Sequence, residues 1–263
     1  PPRTAIDGPA QFSSSVEGCS SLDSVTVHAV EPAASSTNPQ AEKLAGLALT
    51  PILTTGLYYA LPPRLQYQPA ILFLPQVLAY VGLTVWIAQN DRITERLGLT
   101  LRQFGQGLRW GAVTGLALGL LNVSVILLAV PWLGGDIEFL RQTPHARVPV
   151  ALMLPWTILL IAVAIELNFR GFLLGRLLTL CENSRLGQRT WTGPALAVGA
   201  TATAFAFDPF MVVTFKHLHW IAMWDGIVWG TIWLRLRNLW ATIVAHAVEV
   251  MIMYTIIKIV LET

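Results

Sequence analysis

Charge is what this chain has least of. Only 12% of its 263 residues are Asp, Glu, Lys or Arg, where a soluble domain carries about 25%. Mean hydropathy is +0.58 and 54% of residues are hydrophobic. The deficit of charge and the long apolar runs exclude an ordinary soluble domain and point to an all-α, polytopic transmembrane bundle. Short alternating strands, the mark of a membrane β-barrel, do not dominate. Cysteine is scarce as well. Cys19 and Cys181 stand far apart, which gives neither a disulfide framework nor metal-ligand spacing. A net charge of +2 offers no footing for nucleic acid. No signal peptide is visible, and the first residue is Pro1 rather than Met, so a processed or trimmed N-terminus is expected.

What the chain does have falls into two materials. Residues 1–42 are rich in Ser, Ala, Pro and Thr, with few basic residues and no apolar period to fold on, and read as a flexible tail. Residues 43–263 read as the transmembrane domain, with about seven spans: 44–61, 69–88, 110–133, 148–165, 194–208, 218–234 and 239–261. Gln89 to Arg109 mixes Arg and Glu with Leu and Phe and reads as an interfacial amphipathic segment. Gly111, Gly115 and Gly119 recur every four residues, the small-xxx-small spacing that lets helices approach closely. Packing accounts for them fully.

Seven spans divide the basic residues unevenly. With the N-terminus on one side, that side holds Arg3, Lys43, Arg92, Arg96, Arg102, Arg109, Arg170, Arg176, Arg185, Arg189, Arg235 and Arg237. The other holds Arg64, Arg141, Arg147, Lys216 and Lys258. The richer side is the cytoplasmic face, or the stromal face of a plastid.

The residues that can carry chemistry are few. Glu166 follows about fifteen apolar residues, so it is expected at or just inside a membrane boundary. A carboxylate at a helix centre costs about 2.5–3.5 kcal/mol there. Arg170 is four residues on and shares its helix face. The plain reading is an ion pair at a helix end, and the sharper one is a catalytic or partner-binding acid facing the bundle. His246 lies mid-span, with Glu249 three residues later on the same face. Intramembrane ionisable groups are usually functional or mutually paired.

Glu166-Leu167-Asn168-Phe169-Arg170-Gly171 resembles the second half of the EExxxR signature of the CPBP family, the CAAX-prenyl-protease and bacteriocin-processing membrane proteins. Gly226 and Gly230, followed by Arg235-Leu-Arg-Asn-Leu-Trp-Ala-Thr-Ile-Val-Ala-His246-Ala, resemble that family's C-terminal signature. The resemblance covers roughly residues 90–255. It implies an intramembrane endopeptidase in which a Glu and a His activate a water, while a His and an Asn stabilise the oxyanion. This chain departs from the pattern. Ile165 stands where the first Glu belongs, and Val250 stands where the Asn belongs, one residue after Glu249. The middle FxxxH signature fits Phe215 to His219 by letters. By position it falls on 204–209, where Asp208 or Pro209 takes the place of the His.

General-base help contributes about 10²–10⁴ in rate, and one oxyanion donor about 10²–10³. Two readings follow. In the first, the chain keeps the CPBP fold without proteolysis and serves as scaffold, assembly factor or complex subunit. In the second, it is a working endopeptidase using Glu166, His219 and His246, with Arg170 and Glu249 in support. A transporter is a third, since intramembrane acids and His relay protons, but no inverted repeat is seen. The lipid bilayer and other membrane proteins are the expected partners. No cofactor is assigned and a metal is left open. A plastid membrane, thylakoid or inner envelope, is the expected location, with a bacterial inner membrane as the alternative.

Overall fold

The structure is a computed structural model and describes residues 42–182 and 192–262. The tail before Glu42, with Cys19, lies outside the described residues, as does most of the polar connection expected between Cys181 and Gly193. Among the described residues all regular structure is helical. The main elements are α1 (Thr50–Ala60), α2 (Leu74–Gln89), α3 (Phe104–Ser124), α4 (Val150–Glu182), α5 (Thr192–Ala206), α6 (Pro209–Leu218), α7 (Ile221–Leu236) and α8 (Leu239–Glu262).

Seven spans were expected. By length and composition, three helical stretches suffice to cross a membrane: Ile93–Trp132, Val150–Glu182 and Leu239–Glu262. The pair α5 and α6, bent by 52° at Asp208, makes a fourth if it is one span. The helices α1, α2 and α7, with 11, 16 and 16 residues, are shorter than these. The expected boundary after residue 165 is also corrected. The helix does not stop there. It widens into π-helical turns over Leu167–Leu174 and runs on to Glu182, so Glu166 sits in its middle. Arg170 and Arg176 are buried within that helix and are not loop charges.

Close approach by small residues sets the packing. Gly107, Gly111, Gly115 and Gly119 of α3 lie directly on α8. A Cβ added at Gly115 would stand 2.5 Å from the Ala245 carbonyl oxygen and 2.8 Å from Val248 Cβ. One added at Gly111 would stand 2.6 Å from both the Ala241 oxygen and Val244 Cβ. On the other side, Gly226 of α7 is held against Ala202 of α5, with 2.9 Å left for a Cβ. The main apolar core, around Phe169, Phe172, Phe205, Trp229 and Trp233, lies where α4, α5 and α7 meet.

The segment before α3 is tied down by polar contacts. Gly98 takes a left-handed conformation (φ 79°) that L side chains rarely adopt, and its carbonyl accepts the Leu239 N–H at 2.7 Å, fixing the start of α8. Glu42 accepts from Trp86 Nε1 at 2.7 Å and pairs with Arg96 at 3.3 Å and with Arg176. Arg176 also stacks over the Trp86 ring at 4.2 Å.

Overpacking a tight contact costs about 1–3 kcal/mol. Gly115→Val is expected to lower the thermal unfolding midpoint in detergent clearly. Gly105→Ala, on the same helix but with nothing within 4 Å of the added carbon, is expected to leave it unchanged. Equal midpoints for the two variants would refute the α3–α8 packing.

Candidate functional site

Four helices place ionisable or amide side chains in one buried region. From α4 come Glu166 and Arg170, both fully buried. The i, i+4 spacing sets them together, and Glu166 Oε1 accepts from Arg170 Nη1 at 3.1 Å. The same oxygen meets His246 Nδ1 of α8 at 2.9 Å. An ionised carboxylate only accepts, so the Nδ1 proton is assigned to that bond and, in the neutral ring, Nε2 keeps its lone pair. His246 stacks on Trp229 of α7, with ring centres 4.5 Å apart and planes 19° apart. Arg170 lies between the Phe205 ring (4.7 Å) and the Trp229 ring (4.9 Å). These two aromatic faces attract the cation while Nε and Nη2 have no hydrogen-bond acceptor among the described residues.

A second cluster adjoins the first. Asn122 of α3 donates its amide to Glu249 Oε1 at 2.7 Å and to both oxygens of Asp225 at 3.1 and 3.2 Å. The Asn122 carbonyl accepts from Trp224 Nε1 at 2.9 Å, which orients the amide. The Asp225 and Glu249 carboxyls thus share one amide, and among the described residues neither has an ion-pair partner. All three residues are at most 4% exposed.

Of the residues singled out in the sequence, Glu166, Arg170 and His246 therefore meet. Glu249 stands nearby but bonds to Asn122 and Asp225 instead. His219 does not join them. Its Nδ1 donates to the Lys216 carbonyl at 2.6 Å and its ring packs edge-on against Phe207. Asp208, at the position of the family's middle His, caps α6. It accepts from Phe210 N–H at 3.0 Å and Gln76 Nε2 at 2.8 Å. Asn122 and Asp225 were missed. The available signal was a polar residue inside an apolar run, the same signal that marked Glu166.

A cavity of about 550 Å³ opens against this region. Its walls are apolar, with Met153, Ile158, Phe215 and Met253 among them. Asp225, His246 and Glu249 form a polar patch on it, and Ile165 and Val250 lie on the wall. Glu166 is not a lining residue; it is reached through His246. Toward the other end are Lys258 and Glu262, paired at 2.6 Å, and Arg141, paired with Glu138 at 3.1 Å. His145, also lining the cavity, is held by burial below the ordinary imidazole range and so is neutral at pH 7. Among the described residues no group of three or more His, Cys, Asp or Glu is placed to hold a metal ion.

Residues 147–252 match the family model described as type II CAAX prenyl endopeptidase Rce1-like. The matched segment contains Glu166, Arg170, Asp225, His246 and Glu249; Asn122 lies outside it. No curated protein and no solved structure matches the chain.

Removing one partner of a buried ion pair costs about 3–5 kcal/mol, because the other charge is left alone. Arg170→Leu is expected to destabilise the protein on that scale in detergent unfolding. An unchanged midpoint would show that Glu166 does not depend on Arg170.

Proposed function

We propose that this chain, with its Rce1-like domain over residues 147–252, is an integral membrane protein that does not cleave peptides. It serves as a scaffold, assembly factor or subunit of a larger membrane complex. The observation that carries this reading is the closure of Glu166. Its carboxylate is fully buried, is bonded to Arg170 and His246, and does not line the cavity. A general base must reach the water whose proton it takes, directly or through one bridging water. The two departures from the family pattern support the same reading. Ile165 and Val250 put hydrocarbon on the cavity wall where the pattern has a base and an oxyanion donor.

The endopeptidase reading keeps one observation in its favour, the 2.9 Å bond between Glu166 and His246. It needs His219 as well, whose ring nitrogen is bonded to its own turn. Protein partners are proposed from the exposed aromatic side chains Trp132 and Trp156, 84% and 68% accessible, although Trp is also at home at membrane interfaces. The scarcity of basic residues in the N-terminal tail favours a plastid membrane, with a bacterial inner membrane as the alternative.

The test is incubation of the purified chain in nanodiscs with prenylated CAAX peptides. The expected result is no product, with wild type indistinguishable from His246→Ala. Product formed by wild type and lost in His246→Ala would overturn the proposal.

A further inference from the structure

The polar patch of the cavity is chemically one-sided. Both amide hydrogens of Asn122 are spent on Glu249 and Asp225, and its carbonyl is spent on Trp224. His246 gives its Nδ1 proton to Glu166, and no hydrogen bond reaches its Nε2 among the described residues. Glu249 is 2% exposed, and among the described residues no hydrogen bond reaches its Oε2. Asp225, His246 and Glu249, the groups that face the cavity there, thus offer acceptors. Asp225 and Glu249 stand on the one Asn122 amide, and among the described residues neither carboxyl has an ion-pair partner. Glu166 takes up the positive charge of Arg170. The charged side chains at the other end, Lys258 and Arg141, have acidic partners of their own.

We infer that the cavity is a binding site for a single-chain amphiphile with a primary ammonium head. The head occupies the acceptor patch of Asp225, His246 and Glu249, and the chain lies along Met253, Phe215 and Ile158. An ammonium supplies three donors and no acceptor, matching a patch that supplies only acceptors. Its charge meets two carboxyls without an ion-pair partner among the described residues, and charge-assisted bonds are about twice as strong as neutral ones. A cavity of about 550 Å³ is within the roughly 300–1,000 Å³ range of small-molecule sites. A carboxylate head is disfavoured by the same patch, because it would face the carboxyls of Asp225 and Glu249. The inference goes beyond the loss of proteolysis and is independent of it, since binding is read without any peptide.

The experiment compares tetradecylamine, tetradecanol and myristic acid on the full chain in nanodiscs, reading thermal unfolding and saturable displacement of a dansylated alkylamine. The expected order is amine well ahead of alcohol, with no saturable binding of the acid. Glu249→Gln is expected to weaken amine binding by about tenfold or more, the scale of one lost charge-assisted hydrogen bond. Met253→Trp fills the wall one turn beyond Glu249 while leaving every group of the polar patch in place, and is expected to abolish saturable binding. That variant decides the matter if Glu249→Gln does not fold. Equal responses to all three probes would mean partition into the bilayer only and would overturn the site, as would undiminished amine binding in Met253→Trp.

Discussion

Three carboxyls, those of Glu166, Asp225 and Glu249, lie in the interior of an apolar bundle, and most of what surrounds them is an answer to that constraint. Each buried charge without compensation costs several kcal/mol, so each must be met by a side chain from another turn or another helix. Glu166 is met by Arg170 one turn on and by His246 from α8. Asp225 and Glu249 are met by Asn122 from α3. These bonds require backbones closer than large side chains allow, and the glycines provide that closeness. A Cβ at Gly119 would stand 3.3 Å from Glu249 Cα. The residue one turn later on the same helix is Asn122, whose amide meets the Glu249 carboxyl. The glycine stripe and the polar cluster are therefore one device. On the opposite side Gly226 does the same for Arg170, leaving 3.5 Å between a would-be Cβ and Arg170 Nη2.

That link marks the limit of what the chain discloses as a string. The helical, membrane character was legible because hydropathy is a local property. The Glu166–Arg170 pair was legible because i, i+4 spacing is local too, and His246 stood out as a lone imidazole in an apolar run. Asn122 was passed over because the glycines before it already had a sufficient explanation in packing. Asp225 was passed over because its partner Asn122 is 103 residues away, and nothing at short range shows that a carboxyl will find an amide. The helix end placed after residue 165 failed for a related reason. The polar residues Glu166, Asn168 and Arg170 read as an exit from the membrane, yet each is buried. Widened turns over Leu167–Leu174 carry the helix through them, a local geometry often found at functional sites.

The resemblance to a protease and the departures from it concern the same few atoms. The family pattern implies a second Glu and an Asn beside His246, and here those positions carry Ile165 and Val250 on the cavity wall. An asparagine does reach the region, but from α3 and from outside the matched segment. Its hydrogens are bonded to the protein's own acids, so it is not a substitute for a donor aimed at substrate.

Oxyanion stabilisation demands donors held toward the position where negative charge develops. Asp225, Glu249 and His246 Nε2 present the reverse, a group of acceptors without a cationic partner among the described residues, next to a cavity with hydrocarbon walls. Negative charge developing on a bound carbonyl would meet acceptors there, while a bound cation would be held by them. The proposed absence of peptide hydrolysis and the proposed binding of an ammonium head thus rest on one and the same feature, a patch of acceptors. A substitution that restored Glu at 165 alone would add a third acid to that side of the cavity without adding a donor.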